Sequence, residues 1–109
     1  MRNSRQHQLK PLVLERFWQR ARGLLMRQQL LERDGVLIRP CRSIHTVGMT
    51  HSIDVVFLDL ALRVTEVRPD IGPFRAITSR CRSTSSTLEL AAGEVKKFGI
   101  VAGDQISIL

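Results

Sequence analysis

Apolar residues recur along this chain with two different periods, and the change falls near residue 35. From Leu12 to Arg27, Leu14, Phe17, Trp18, Ala21, Leu24 and Leu25 stand three and four apart, with Arg16, Arg20, Arg22 and Arg27 mostly between them. That is the pattern of an amphipathic helix over part of this segment, with Phe17 and Trp18 in the core. Gly23 weakens it, so the regular part is predicted to end near Ala21 or Arg22, a tighter turn carrying Leu24 to Met26. Beyond the Asp34-Gly35 turn signal the pattern becomes extended. Val36-Leu37-Ile38, Ile53 to Leu58, Leu62 to Val67, Thr87 to Leu90 and Ile106 to Leu109 read as short strands, with Pro69, Gly72, Pro73 and Gly103 at the breaks. Ala91 to Gly99 reads as one short helix, ended by Gly99 in the left-handed conformation.

Closely spaced strands with few helices predict a mainly β (α+β) fold. The sheet is expected to be antiparallel and to bury itself as a small barrel-like or sandwich domain with one or two short helices. The 109 residues suffice for one core. Residues 1–8 are polar and uncapped and are predicted to be a flexible tail, leaving 9–109 as a single domain.

Composition narrows the class. A hydrophobic fraction of 43% and a charged fraction of 25% are those of an ordinary globular protein. No apolar stretch approaches the roughly 20 residues that span a bilayer, and the start lacks a signal-peptide core, so a cytoplasmic location with no membrane partner is expected. Cys41 and Cys81 form no CxxC motif and are expected to be free thiols in that compartment. The net charge of +7 is unevenly placed. Residues 1–42 carry ten Lys or Arg against three acids, whereas 43–109 carry seven of each. A basic first third suggests a phosphate, a nucleic acid or an acidic protein as partner, or simply a solvated face in an arginine-rich composition.

The side chains with most chemistry lie between Arg39 and Asp59. Cys41, His45, His51 and Asp54 are a conceivable zinc or copper set if they converge, yet on an extended strand Asp54 falls on the face opposite His45 and His51. Cys41 with His45, flanked by Arg39 and Arg42, could form a nucleophile with a lowered thiol pKa, although no oxyanion site is visible. Asp54 sits inside an apolar strand. Its carboxylate must be satisfied by backbone amides or by an arginine such as Arg22 or Arg39, with a general base as the alternative.

Several strings together resemble a known family. These are Arg20-Ala21-Arg22-Gly23-Leu24-Leu25, Pro40-Cys41-Arg42-Ser43-Ile44-His45-Thr46-Val47-Gly48-Met49, Ile53-Asp54-Val55-Val56-Phe57-Leu58-Asp59, and Leu88-Glu89-Leu90-Ala91-Ala92-Gly93 followed by Gly99 and Gly103-Asp104. In this order they resemble domain of unknown function (DUF) family 192 over residues 9 to 109. The resemblance implies a compact, mainly β, barrel-like bacterial or archaeal domain without an established activity. The chain departs from the family pattern at Val47 (for Phe), His51-Ser52 (for an apolar residue and Pro), Ala61-Leu62 (for an Asp-Gly turn) and Ala91 (for Pro). The third departure predicts that Asp59-Leu60-Ala61-Leu62 is a wider loop exposing leucine, a candidate partner contact, because Ala and Leu resist the positive φ of a tight turn.

The sequence therefore points to a binding or interaction module for a small anionic or polar ligand or an acidic partner. The candidate contacts are Arg39, Cys41, Arg42, His45, Met49 and Asp54, and no cofactor is implied. A metal-dependent or Cys/His enzyme site at Cys41, His45, His51 and Asp54 is one alternative. Nucleic-acid binding through the basic first third is the other.

Overall fold

A computed structural model describes residues 3–15 and 34–109. Its elements are the strands β1 (Gln6–Leu9), β2 (Leu12–Leu14), β3 (Val36–Ile38), β4 (Ser43–His45), β5 (Ile53–Leu58), β6 (Val64–Ile71), β7 (Ala76–Thr78) and β8 (Ser86–Ala91), the helix α1 (Glu94–Phe98), and the strand β9 (Gln105–Ile108). The expected sequence of strands, short helix and final strand is present, and Gly99 ends α1 with φ 70°.

A five-stranded sheet in the order β2-β3-β8-β5-β6 forms the middle layer. From β3 to β6 it is antiparallel, as expected, whereas β2 joins β3 in parallel. Alternation along β5 sends side chains to both faces, and both are covered. Ile53, Val55 and Phe57 pack with Cys41, Ile44, Met49 and Ile77, so the β4-β7 ribbon closes this face. Val56 and Leu58 pack with Leu9, Val95, Ile100 and Ile106, so α1 and the parallel pair β1-β9 close the other. The result is sandwich-like, and the barrel alternative is not realised.

Gln6–Leu9, which includes the end of the stretch expected to be a tail, forms a strand that pairs with β9 from Gln6↔Gln105 to Leu9↔Ile108. Leu9 buries its side chain, while Asp104 reaches back to accept the Arg5 N–H at 3.1 Å. Leu12–Leu14, the start of the segment predicted to be helical in part, is a strand paired with Val36–Ile38. Tertiary pairing overrides a helical spacing here; the rest of that segment, from Arg16 on, lies outside the described residues. Pro69 does not break β6. Ile53 opposes Ile71 and Val55 opposes Arg68, so Asp54 alone faces Pro69 and Asp70 in a bulge. An edge strand tolerates a proline there.

Asp54 holds this bulge. Its side chain is buried, and Oδ1 accepts the Asp70 N–H at 2.9 Å while Oδ2 accepts those of Gly93 and Val95 at 3.0 Å each. One carboxylate thus satisfies the bulge and the first turn of α1, whose amides have no partner within the helix. Of the readings open for Asp54, the backbone-amide one is realised. Gly35 shows a tight fit of another kind. Its φ is 91°, and a Cβ there would stand 2.3 Å from the Glu89 carbonyl oxygen, so only glycine lets β3 start so close to β8.

Asp54→Ala removes an acceptor from three amides. It is expected to cost about 3 kcal/mol or more, a large fraction of the stability of a small domain, whereas Asp54→Asn should lose less because one oxygen remains. Urea unfolding midpoints of the two variants against the wild type check the ranking.

Candidate binding site

The chemically suggestive residues of the central segment divide between interior and surface. Cys41 is buried among apolar side chains, and its thiol donates to the Ser43 carbonyl at 3.0 Å. Met49 is buried in the same layer. Asp54 lies on the opposite face of β5, held as described. His45 stands on the exposed face of β4, turned away from Ile44 and the core, and His51 is half-buried just before β5. Among the described residues no three His, Cys, Asp or Glu side chains come together as a metal set would require. Of the six candidate contacts, Cys41, Met49 and Asp54 are buried, while Arg39, Arg42 and His45 keep exposed side chains. Both thiols are free.

The family string Leu88-Glu89-Leu90 conceals a second buried acid. Glu89 lies opposite Val36 on β3 and Val55 on β5, both of the Cys41 layer, and its Oε2 has no hydrogen-bond partner among the described residues. Burial alone pushes its carboxyl up to about 8, so the group is largely neutral at pH 7. Alternation with Leu88 and Leu90 makes Glu89 look solvent-facing in the sequence. It is buried because the sheet is covered on both sides.

Sequence reasoning also marked two separate features, Arg39 and the Asp59 to Leu62 loop, and the fold brings them to one place. The loop is wider than a two-residue hairpin, as expected, and Leu60 is 91% exposed. Asp59 holds it: its Oδ1 accepts the N–H groups of Ala61 and Arg63, each at 2.9 Å, and its carbonyl accepts that of Leu62 at 3.0 Å. Leu62 nonetheless takes φ 63°, a conformation that costs a leucine about 1–2 kcal/mol and completes the turn-plus-bulge form of a three-residue loop.

Between this loop and the start of the central segment lies a groove of about 340 Å³, with Leu60, Leu62 and Pro40 as its apolar lining and Glu15, Arg39 and Asp59 as its charged groups. The Arg39 guanidinium donates to Glu15 Oε1 at 3.2 Å, both side chains being substantially exposed. Ser85 and Ser86 line the groove at the start of β8. Ser86 is only 2% exposed, and its hydroxyl has no hydrogen-bond partner among the described residues. No feature of the sequence singles out Ser86, since a serine opening a strand is ordinary.

The family model for DUF192, "Uncharacterized ACR", matches residues 1–108, and the chain belongs to this family. No curated protein matches the sequence significantly. Two crystal structures share the fold. One, a protein of unknown function from Novosphingobium aromaticivorans, is 21% identical with a TM-score of 0.71, over 85% of this chain and 70% of that one. The other, from Sinorhizobium meliloti and described as a "putative transcription regulator", is 23% identical with a TM-score of 0.72, over 89% of this chain and 87% of that one. Among the described residues no helix is long and apolar enough to cross a membrane.

Glu89 and the thiols each generate a test. A carboxyl raised from its ordinary 4.5 to about 8 on folding favours the folded state fully below pH 4.5. That stability is lost as pH rises to 8, at up to about 1.4 kcal/mol per pH unit. Glu89→Gln should therefore flatten the pH dependence, matching the wild type near pH 4 and exceeding it near pH 9 in urea unfolding. For the thiols, hydrogen bonding to Ser83 lowers the pKa of the more exposed Cys81. Iodoacetamide should label Cys81 in the native protein and Cys41 only after denaturation, as read by mass spectrometry of the peptides.

Proposed function

We propose that this domain is an interaction module whose groove takes a carboxylate-bearing segment of an acidic protein partner, with an apolar side chain of the partner against Leu60 and Leu62. The observation that carries this reading is the groove itself, which presents Arg39 beside the exposed Leu60 and includes in its lining Ser86, whose buried hydroxyl has no hydrogen-bond partner among the described residues. A buried hydroxyl left unbonded costs about 1–3 kcal/mol, a cost that a bound polar group would remove. The Glu15 carboxylate on Arg39 shows the geometry a partner's carboxylate would adopt. Exposed ion pairs of this kind contribute about 0–1 kcal/mol, so exchange of one carboxylate for another is inexpensive.

Among the described residues Glu15 and Asp59 set two carboxylates beside the Arg39 guanidinium in the lining, which favours a singly charged group attached to apolar surface over a multiply charged small anion. A small anionic or polar ligand is therefore the lesser form of the same reading. The catalytic alternative has no comparable support, because Cys41 and Asp54 are committed to internal hydrogen bonds on opposite faces of the sheet. Two free thiols accord with a reducing cytoplasm as the working location.

The test is a titration of ¹⁵N-labelled protein with short N-acetylated peptides carrying Asp or Glu beside Leu, with their Asn or Gln counterparts as controls. Amide shifts should concentrate at Arg39, Leu60 to Leu62 and Ser85-Ser86, and the amide controls should bind weakly. Ser86→Ala should leave stability unchanged or raise it by about 1 kcal/mol while weakening the peptide. If the shifts cluster elsewhere, or Ser86→Ala leaves affinity unchanged, the groove is not the site.

A further inference from the structure

Apart from the groove, the β4-β7 ribbon with its flanking loops carries charge of one sign. Its two segments, residues 39–52 and 72–85, hold Arg39, Arg42, Arg75, Arg80 and Arg82 with His45 and His51, and neither holds an Asp or Glu. They lie together because Ser43, Ile44 and His45 pair with Thr78, Ile77 and Ala76. The basic excess read from the sequence lies in residues 1–42, while the remainder balances. In the fold, three arginines of that balanced remainder join Arg42 on one exposed ribbon.

The outer face of the ribbon is polar and low. Ile44 and Ile77 point into the core, leaving Ser43, His45, Ala76 and Thr78 outside, with the Ser43 and Thr78 hydroxyls 2.8 Å apart. Arg42 is anchored at one end, where its Nη2 donates to the Cys81 carbonyl at 2.8 Å. Glu66, a carboxylate that engages the ribbon from β6, is occupied: it accepts the Arg80 N–H, the Ser79 hydroxyl and an Arg68 guanidinium N–H. At the other end stand two exposed apolar side chains on adjoining loops, Val47 at 58% and Phe74 at 76%. They adjoin because Thr46 binds the turn, its hydroxyl donating to the Gly72 carbonyl and accepting the Arg75 N–H, and its carbonyl accepting that of Phe74. Phe74 has φ 59°, an unfavourable conformation for an aromatic residue. Nothing in the interior compensates for it, since the ring packs into no core.

We infer that this ribbon is a binding surface for single-stranded nucleic acid, with Arg42, Arg75, Arg80 and Arg82 on the phosphates and Phe74 as the platform on which a base stacks. A cationic track beside an exposed aromatic ring is the combination such strands require, and hydroxyls on a flat face add sequence-tolerant hydrogen bonds. An anionic bilayer would also meet arginines and an apolar tip. It would leave the row of hydroxyls and His45 without a role, so the strand is the better fit.

The measurement is fluorescence anisotropy with short, labelled, mixed-sequence DNA and RNA strands at about 50 and 200 mM salt, in parallel with sedimentation on phosphatidylserine-containing vesicles. We expect strand binding whose affinity falls with salt, with log K changing by about 0.7 per log unit of salt for each phosphate neutralised. Phe74→Ala should weaken it about tenfold with an unchanged salt slope, and the double substitution Arg75→Ser, Arg82→Ser should weaken it and reduce that slope by about 1.4. All three positions are exposed, so folding is not at stake. Absence of strand binding at the lower salt, strand binding that ignores these substitutions, or Phe74-dependent binding to vesicles alone would each overturn the inference.

Discussion

A single buried carboxylate on β5 ties the bulge of β6 to the start of α1. Asp54 accepts one amide from the β6 bulge and two from the start of α1, so it fixes where the edge strand bends and where the chain leaves β8. Charge-assisted hydrogen bonds to backbone amides compensate a carboxylate for loss of water only when geometry supplies several of them. The bulge at Pro69 and Asp70 supplies one, and the open first turn of α1 supplies the others. Asp104 repeats the device at the far end, where its carboxylate accepts the Arg5 and Val101 N–H groups and lies 2.9 Å from His7 Nε2. That second set ties β1 to the turn before β9. Two aspartates thus fasten the elements that cover one face of the central sheet.

This constraint changes the meaning of the central segment. Read along the sequence, Cys41, His45, His51 and Asp54 are close enough to suggest one centre. In the fold the alternation of β4 and β5 sends them apart: Cys41 into one apolar layer, Asp54 across the sheet, His45 outward. The side chains that remain exposed are those that chemistry makes least conspicuous, namely an arginine beside a leucine loop and a phenylalanine on a turn.

Much of the fold was legible, and the omissions have physical reasons. β3, β5, β8 and β9 show because their apolar runs are long or dense, and α1 shows because Gly99 takes the left-handed conformation that ends it. β4 and β7 each bury one central isoleucine, too little for periodicity to register. β1 is nearly all polar, and its pairing with β9 depends on a residue almost a hundred positions away. Pro69 misleads because only the bulge and the edge position make it tolerable. In the site, Arg39 and the Leu60 loop were legible separately, but their shared groove is a product of tertiary structure. Glu89 and Ser86 were not legible, since burial on both faces of a sheet cannot be read from alternation within one strand.

The central claim is that the conspicuous acid maintains the fold while the groove at the surface does the binding. Stability and affinity measured together on Asp54→Asn and Arg39→Ala test it most directly, using urea unfolding and binding of an acidic, leucine-containing peptide per folded molecule. The account predicts that Asp54→Asn lowers the unfolding midpoint and keeps the affinity, whereas Arg39→Ala keeps the midpoint and loses the affinity. Loss of affinity in folded Asp54→Asn, with Arg39→Ala binding as the wild type does, would contradict it.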